Sequence, residues 1–110
     1  MLSLVQRHSK RSDHSIHKHV ALIVRHGKIV TIAVNSGWRH AEENAIRTTT
    51  PDLLRGATLL SFRVSKTNTL RNAKPCVVRG DGRPSCSELI KLAGIKKVVY
   101  SDSNGELVNG

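Results

Sequence analysis

Aromatic residues are nearly missing from this sequence, with one Trp, one Tyr and one Phe in 110 residues. A core must therefore rest on Leu, Ile, Val and Ala, and few rings remain to stack on nucleobases. Acid is scarce as well: eight Asp/Glu face eighteen Lys/Arg, for a net charge of +10. Long apolar runs are lacking. Met1-Leu2-Ser3-Leu4-Val5 is cut short by Gln6-Arg7-His8, and no stretch approaches the roughly 18 apolar residues that cross a bilayer. Neither a leader peptide nor a membrane partner is expected. The two cysteines are too few for a disulfide framework, which favours metal or thiol chemistry in a reducing, cytoplasmic compartment.

What is present fits a globular chain: 38% hydrophobic and 24% charged residues, enough for one domain with a modest core. The charge is uneven. Residues 1–28 carry six Lys/Arg against Asp13, residues 29–57 balance three against three, and residues 58–110 carry nine against four. Such a surplus suits an anionic partner, a phosphorylated nucleotide or single-stranded nucleic acid, although a basic surface serves solubility equally well. Residues 1–14 read as a basic N-terminal segment, and residues 15–110 as the domain.

Val20-Ala21-Leu22-Ile23-Val24 lies at the heart of a strand from His17 to Arg25. His26-Gly27-Lys28 turns the chain into the β-branched run Ile29–Val34, making a hairpin. A helix is predicted from Ala41 to about Thr48, stopped by Pro51. A turn or short helical piece follows at Leu53–Gly56, then a strand over Ala57–Val64. Lys66–Lys74 reads as a basic loop. Ser85 or Ser87 caps a helix from Cys86 to Ala93, with Gly94 as its stop. Lys96–Ser101 is the fourth strand, Asp102-Ser103-Asn104-Gly105 a turn, and Glu106–Val108 a short edge strand. The order β-β-α-β-α-β implies an α/β sandwich with a mixed sheet.

The chemistry gathers in His40-Ala41-Glu42-Glu43-Asn44-Ala45-Ile46, Pro75-Cys76 and Cys86. Together they resemble the H-x-E…P-C…C signature of the zinc-dependent cytidine and deoxycytidylate deaminases. Gly56-Ala57-Thr58-Leu59 and Gly94-Ile95-Lys96-Lys97-Val98-Val99-Tyr100 extend the likeness over about residues 17–108. The resemblance implies a three-layer α/β/α sandwich of cytidine-deaminase type. It makes His40, Cys76 and Cys86 ligands of a zinc ion, and Glu42 the general acid and base. The donor set agrees with that. One imidazole and two thiolates leave the fourth tetrahedral position open for a water whose pKa the metal lowers, whereas a structural site would be closed by a fourth ligand. Two core thiols and a surface histidine would leave Glu42 and Pro75 without a role.

Nine residues separate Cys76 from Cys86, where the family's usual spacing is two. The distance from Cys86 to Gly94 matches the family, and a loop of similar length, also ending in Gly-Arg and a Pro before the Cys, occurs in the deaminase domain of riboflavin biosynthesis. The resemblance further implies contacts to substrate from Asn35 (sugar) and from the backbone at Ala41 (pyrimidine), with Pro75 beside them. Trp38 is a pocket wall or a core anchor. Lys74, with Arg79 and Arg83, is a candidate phosphate contact, or else part of an exposed basic loop. Glu43 reads as a solvated or capping residue. His14, His17, His19 and His26 read as surface histidines rather than a metal cluster.

The leading functional reading is hydrolytic deamination of a cytosine nucleoside or nucleotide to the uracil form, with release of ammonia. The alternatives are deamination of a base within single-stranded DNA or RNA, a riboflavin-pathway pyrimidine deaminase lacking its reductase domain, and a non-catalytic nucleic-acid-binding module. Short ends leave a sheet edge to be covered by another subunit, so a homodimer or larger homo-oligomer is expected.

Overall fold

The computed structural model describes residues 18–36, 39–65, 70–76 and 84–110. The basic segment 1–14, His14, His17, Trp38, Arg79 and Arg83 lie outside the described residues. Among the described residues, six strands and three helices follow one another as β1 (Lys18–Arg25), β2 (Lys28–Val34), α1 (Ala41–Thr48), α2 (Pro51–Leu54), β3 (Thr58–Val64), β4 (Leu70–Arg71), α3 (Cys86–Leu92), β5 (Lys97–Ser101) and β6 (Leu107–Asn109). The sheet runs β2-β1-β3-β5-β6, with β4 paired to the end of β3. It is mixed: β3 and β5 are parallel, and every other pair is antiparallel.

The hairpin forms as its sequence requires. His26 and Gly27 both take positive φ, 52° and 75°, the two-residue turn whose twist matches that of flanking strands. A parallel pair cannot be joined by a hairpin, so the chain between β3 and β5 must cross over, and α3 lies on that crossover. Leu70–Arg71 is a strand inside what reads from sequence as loop. Two residues are too few to leave a periodic signal, and pairing with Val64 and Arg63 is what fixes them.

Period-two alternation divides the sheet residues between two cores. Ala21, Ile23, Ala33 and Leu59 face Ala41 and Ala45 of α1, Leu54 of α2 and Ile90 of α3. Val20, Leu22, Phe62 and Val64 build the cluster on the opposite face. All three described helices therefore cover one face, and the residues of the other are equally withdrawn from solvent. No helix among the described residues is long and apolar enough to cross a membrane.

Two local devices hold the helices in place. Asn44 donates its side-chain amide to the Val34 carbonyl at 2.7 Å, tying α1 to the end of β2. Helix α3 starts on the Ser85 hydroxyl, which accepts from Glu88 N–H at 3.2 Å. It ends on Gly94, at φ +77°. Gly94 N–H donates to the Lys91 carbonyl and Ile95 N–H to that of Ile90, a Schellman closure that satisfies the last carbonyls.

Candidate metal centre

The N-terminal ends of α1 and α3 meet against the sheet. His40 is the N-cap of α1 and Cys86 the first residue of α3. Cys76 comes from the segment leading away from β4. Among the described residues, His40, Cys76 and Cys86 are the one group of three potential ligands, with donor atoms all within 4.8 Å of one another. His40 Nδ1 lies 3.3 Å from Cys86 Sγ and 3.8 Å from Cys76 Sγ. Zinc held at its usual N and S distances in a tetrahedron sets that edge at about 3.6 Å, midway between the two. Cys86 is buried, while Cys76 and His40 are more open. Both sulfurs are free cysteines.

Backbone amides support the sulfurs. Cys86 N–H donates to Cys76 Sγ at 3.1 Å, and Ser87 N–H to the Cys76 carbonyl at 3.0 Å.

Glu42 sits in the first turn of α1, one residue inside His40 and Ala41, and is 1% exposed. Its Oε1 is buried with no aligned hydrogen-bond donor. A carboxylate withdrawn from water needs such a partner. The donor set and its spacing suit zinc, so the three side chains form a potential zinc site.

One residue at the centre is hidden from sequence reasoning. His19 is not a surface histidine: it is 8% exposed, with Nε2 3.2 Å from Glu42 Oε1 and 2.7 Å from Ser61 Oγ. Burial pushes its pKa down against the pull of Glu42, and Arg63 and His40 lower it further. Strand parity was the available signal, since His19 lies two residues before Ala21 on the face that packs against the helices. Glu43 is likewise not solvated: it is 8% exposed, with Arg47 Nη1 3.9 Å away along α1. The short side chains of α1 let the helix sit close to the sheet, which encloses both glutamates of its first turn.

Asn35 is 6% exposed, and its Oδ1 accepts the His19 backbone N–H at 3.0 Å. Ala41 is fully buried at the start of α1. Pro75 is buried and Lys74 exposed. Lys74 and Pro75 line a cleft of about 390 Å³ with Ser87, Lys91, Lys96 and Tyr100, and none of the three candidate ligands lines it.

Fold and ligand set define a zinc-binding deaminase domain. The family described as "Cytidine and deoxycytidylate deaminase zinc-binding region" matches residues 1–102, and the chain belongs to it. No curated protein matches the sequence. Among solved structures, RibD of Acinetobacter baumannii superimposes in form 2 with a TM-score of 0.69 at 24% identity, over 92% of this chain and 27% of that one. A diaminohydroxyphosphoribosylaminopyrimidine deaminase/5-amino-6-(5-phosphoribosylamino)uracil reductase from Thermotoga maritima gives 0.62 at 28% identity, over 91% and 30%. This chain thus spans less than a third of the length of either solved protein.

Proposed function

We propose that this chain deaminates an aminopyrimidine nucleotide by hydrolysis, with a cytosine mononucleotide as its first substrate. The observation that carries the reading is the His40, Cys76 and Cys86 donor triangle beside a buried first-turn carboxylate, Glu42. Zinc, when bound there, supplies the Lewis acid that activates the attacking water. Glu42 takes up protons from that water, delivering one to the ring nitrogen and one to the departing amine. The water oxygen becomes the new carbonyl oxygen at C4, the C4–N bond breaks, and ammonia leaves. Ala41 and Pro75 wall the base, Asn35 faces the sugar, and Lys74 neutralises the phosphate. Two free cysteines suit a reducing, cytoplasmic setting. We also propose that the chain works as a homodimer or larger oligomer, which sedimentation at working concentration tests.

A second reading draws on the Thermotoga maritima protein, whose deaminase acts on a phosphoribosylated aminopyrimidine. The same residues and the same proton transfers serve that ring. One panel separates these readings: cytidine, CMP, dCMP, diaminohydroxyphosphoribosylaminopyrimidine and cytosine-bearing oligonucleotides, assayed for ammonia at two salt concentrations. Turnover of CMP or dCMP supports the first reading, and turnover confined to the phosphoribosylated pyrimidine supports the second. Turnover confined to oligonucleotides and falling steeply with salt would overturn both in favour of a polynucleotide substrate.

A further inference from the structure

A histidine on β1 touches the catalytic carboxylate from beneath, and its hydrogen bonds fix which of its nitrogens carries a proton. Ser61 Oγ donates its single hydrogen to the Ala73 carbonyl at 3.1 Å. With that hydrogen given to Ala73, the same oxygen, 2.7 Å from His19 Nε2, accepts from Nε2–H. Glu42 Oε1, 3.2 Å from that nitrogen, agrees, because an unprotonated Nε2 would set its lone pair against a carboxylate oxygen. The proton points toward Ser61 and meets Oε1 off its axis, so Oε1 has a donor close by without an aligned bond.

The backbone of His19 is pinned as firmly as its ring. Its N–H donates to Asn35 Oδ1 at 3.0 Å, and its carbonyl accepts from Asn35 N–H at 3.2 Å. The sheet register sets His19 opposite Arg63 and places Ser61 on the neighbouring strand, opposite Ala21. The ring is thus held on a rigid sheet, and Glu42 comes to it from the first turn of α1. Burial keeps the ring from taking a second proton easily, so its function here is that of a hydrogen-bond donor.

We propose that His19 is a positioning residue: its Nε2–H, anchored on Ser61, lies beside Glu42 Oε1 and attracts that oxygen, which keeps the carboxylate against the sheet and aims it at the attacking water. The role rests on the deaminase reading above. Its geometry accounts for a buried polar cluster of His19, Ser61 and Glu42 that the metal centre does not itself require. It also names Ser61 as the residue that sets the tautomer. A carboxylate free to rotate is a slower proton carrier, because proton transfer depends on alignment within a few tenths of an ångström.

The test uses the full-length, zinc-loaded protein. Two-bond proton–nitrogen spectra at neutral pH should show Nε2 of His19 protonated, with a resonance that moves in Glu42→Gln. An unprotonated Nε2, or a resonance blind to that substitution, overturns the proposal whatever the substrate. His19→Leu should keep its zinc and lower kcat by roughly 10- to 100-fold with little change in KM. His19→Gln, whose amide N–H reaches to where Nε2 lies, should recover much of that loss. Should His19→Leu fail to fold, His19→Gln carries the comparison, with Ser61→Ala expected to lower kcat in the same direction. A zinc-loaded His19 variant lacking the donor but as fast as wild type would overturn the positioning role alone. A wild-type protein inactive on every aminopyrimidine offered would instead remove the deaminase reading, and this role with it.

Discussion

The backbone N–H of Cys86 points at the sulfur of Cys76 from 3.1 Å. Cys86 is the first residue of α3, where an amide has no partner within its own helix. Giving that amide to sulfur settles the orphan donor and ties the start of α3 to Cys76. The three candidate donors are brought together from three separate segments of the chain. Replacing Cys76 or Cys86 by Ser should therefore lower bound zinc, measured by elemental analysis, from near one per chain to near zero. Prolonged chelation of the wild type should abolish ammonia release, and zinc should restore it. Full zinc occupancy in Cys86→Ser would show that this thiol is no ligand.

Substituting Glu42 tests whether metal binding and chemistry can be separated. It is buried in the first turn beside His40 without being one of the clustered donors. Glu42→Gln should hold zinc at wild-type stoichiometry while lowering kcat by about 10²- to 10⁴-fold, the usual worth of a positioned acid–base group. The substitution removes a charge from a 1%-exposed site and leaves the side-chain volume unchanged, so thermal stability of the metal-free protein should hold or rise. A variant that loses zinc together with activity would make Glu42 a structural residue.

His19 supplies a stability signature in pH. Burial lowers its pKa from 6.5, so the unfolded chain binds a proton that the folded chain resists. Unfolding is then proton-uptake coupled between the lowered folded value and 6.5, and stability rises with pH across that window. Above 6.5 both states are neutral and this contribution is flat. The unfolding midpoint of wild type should fall as pH is lowered from about 7 toward about 5.5, and more steeply than that of His19→Gln. His26 and His40 are common to both proteins, so the difference in slope belongs to His19. Parallel slopes would mean that its burial is not coupled to folding.

Much of this was legible in the residues. The apolar runs at Val20–Val24 and Ile29–Val34 and the Gly between them fixed the hairpin, and Pro51 and Gly94 marked the ends of helices within a residue or two. The candidate ligand trio came from the resemblance to the deaminase signature, and the distance from Cys86 to Gly94, which matches that family, placed Cys86 despite nine residues between the cysteines. What stayed hidden depends on long-range pairing. Leu70–Arg71 becomes a strand because β3 lies beside it, and nothing local marks it. His19 looked like one more histidine in a basic stretch. Its meaning lies in Ser61, 42 residues away, and in a helix that starts at Ala41.

The cap of α3 offers a test of how folding and metal binding are coupled. Ser85 accepts Glu88 N–H at 3.2 Å, with Glu88 three residues on in a capping-box arrangement. Cys86 follows it directly, so whatever frays this end moves a ligand and also withdraws the amide from Cys76. Losing such a cap costs about 1 kcal/mol. Were that cost to fall on the metal-free protein and the bound metal to restore the turn, zinc would have to supply it, weakening affinity by about fivefold. Ser85→Ala should therefore bind zinc several-fold more weakly in a competition titration, while Ser87→Ala, at the adjoining serine, which does not cap the helix, should bind as wild type does. If Ser85→Ala lowers the unfolding midpoint of both forms equally and leaves zinc affinity unchanged, the first turn of α3 is formed alike in both. The centre is then rigid enough that the ion plays no part in shaping it.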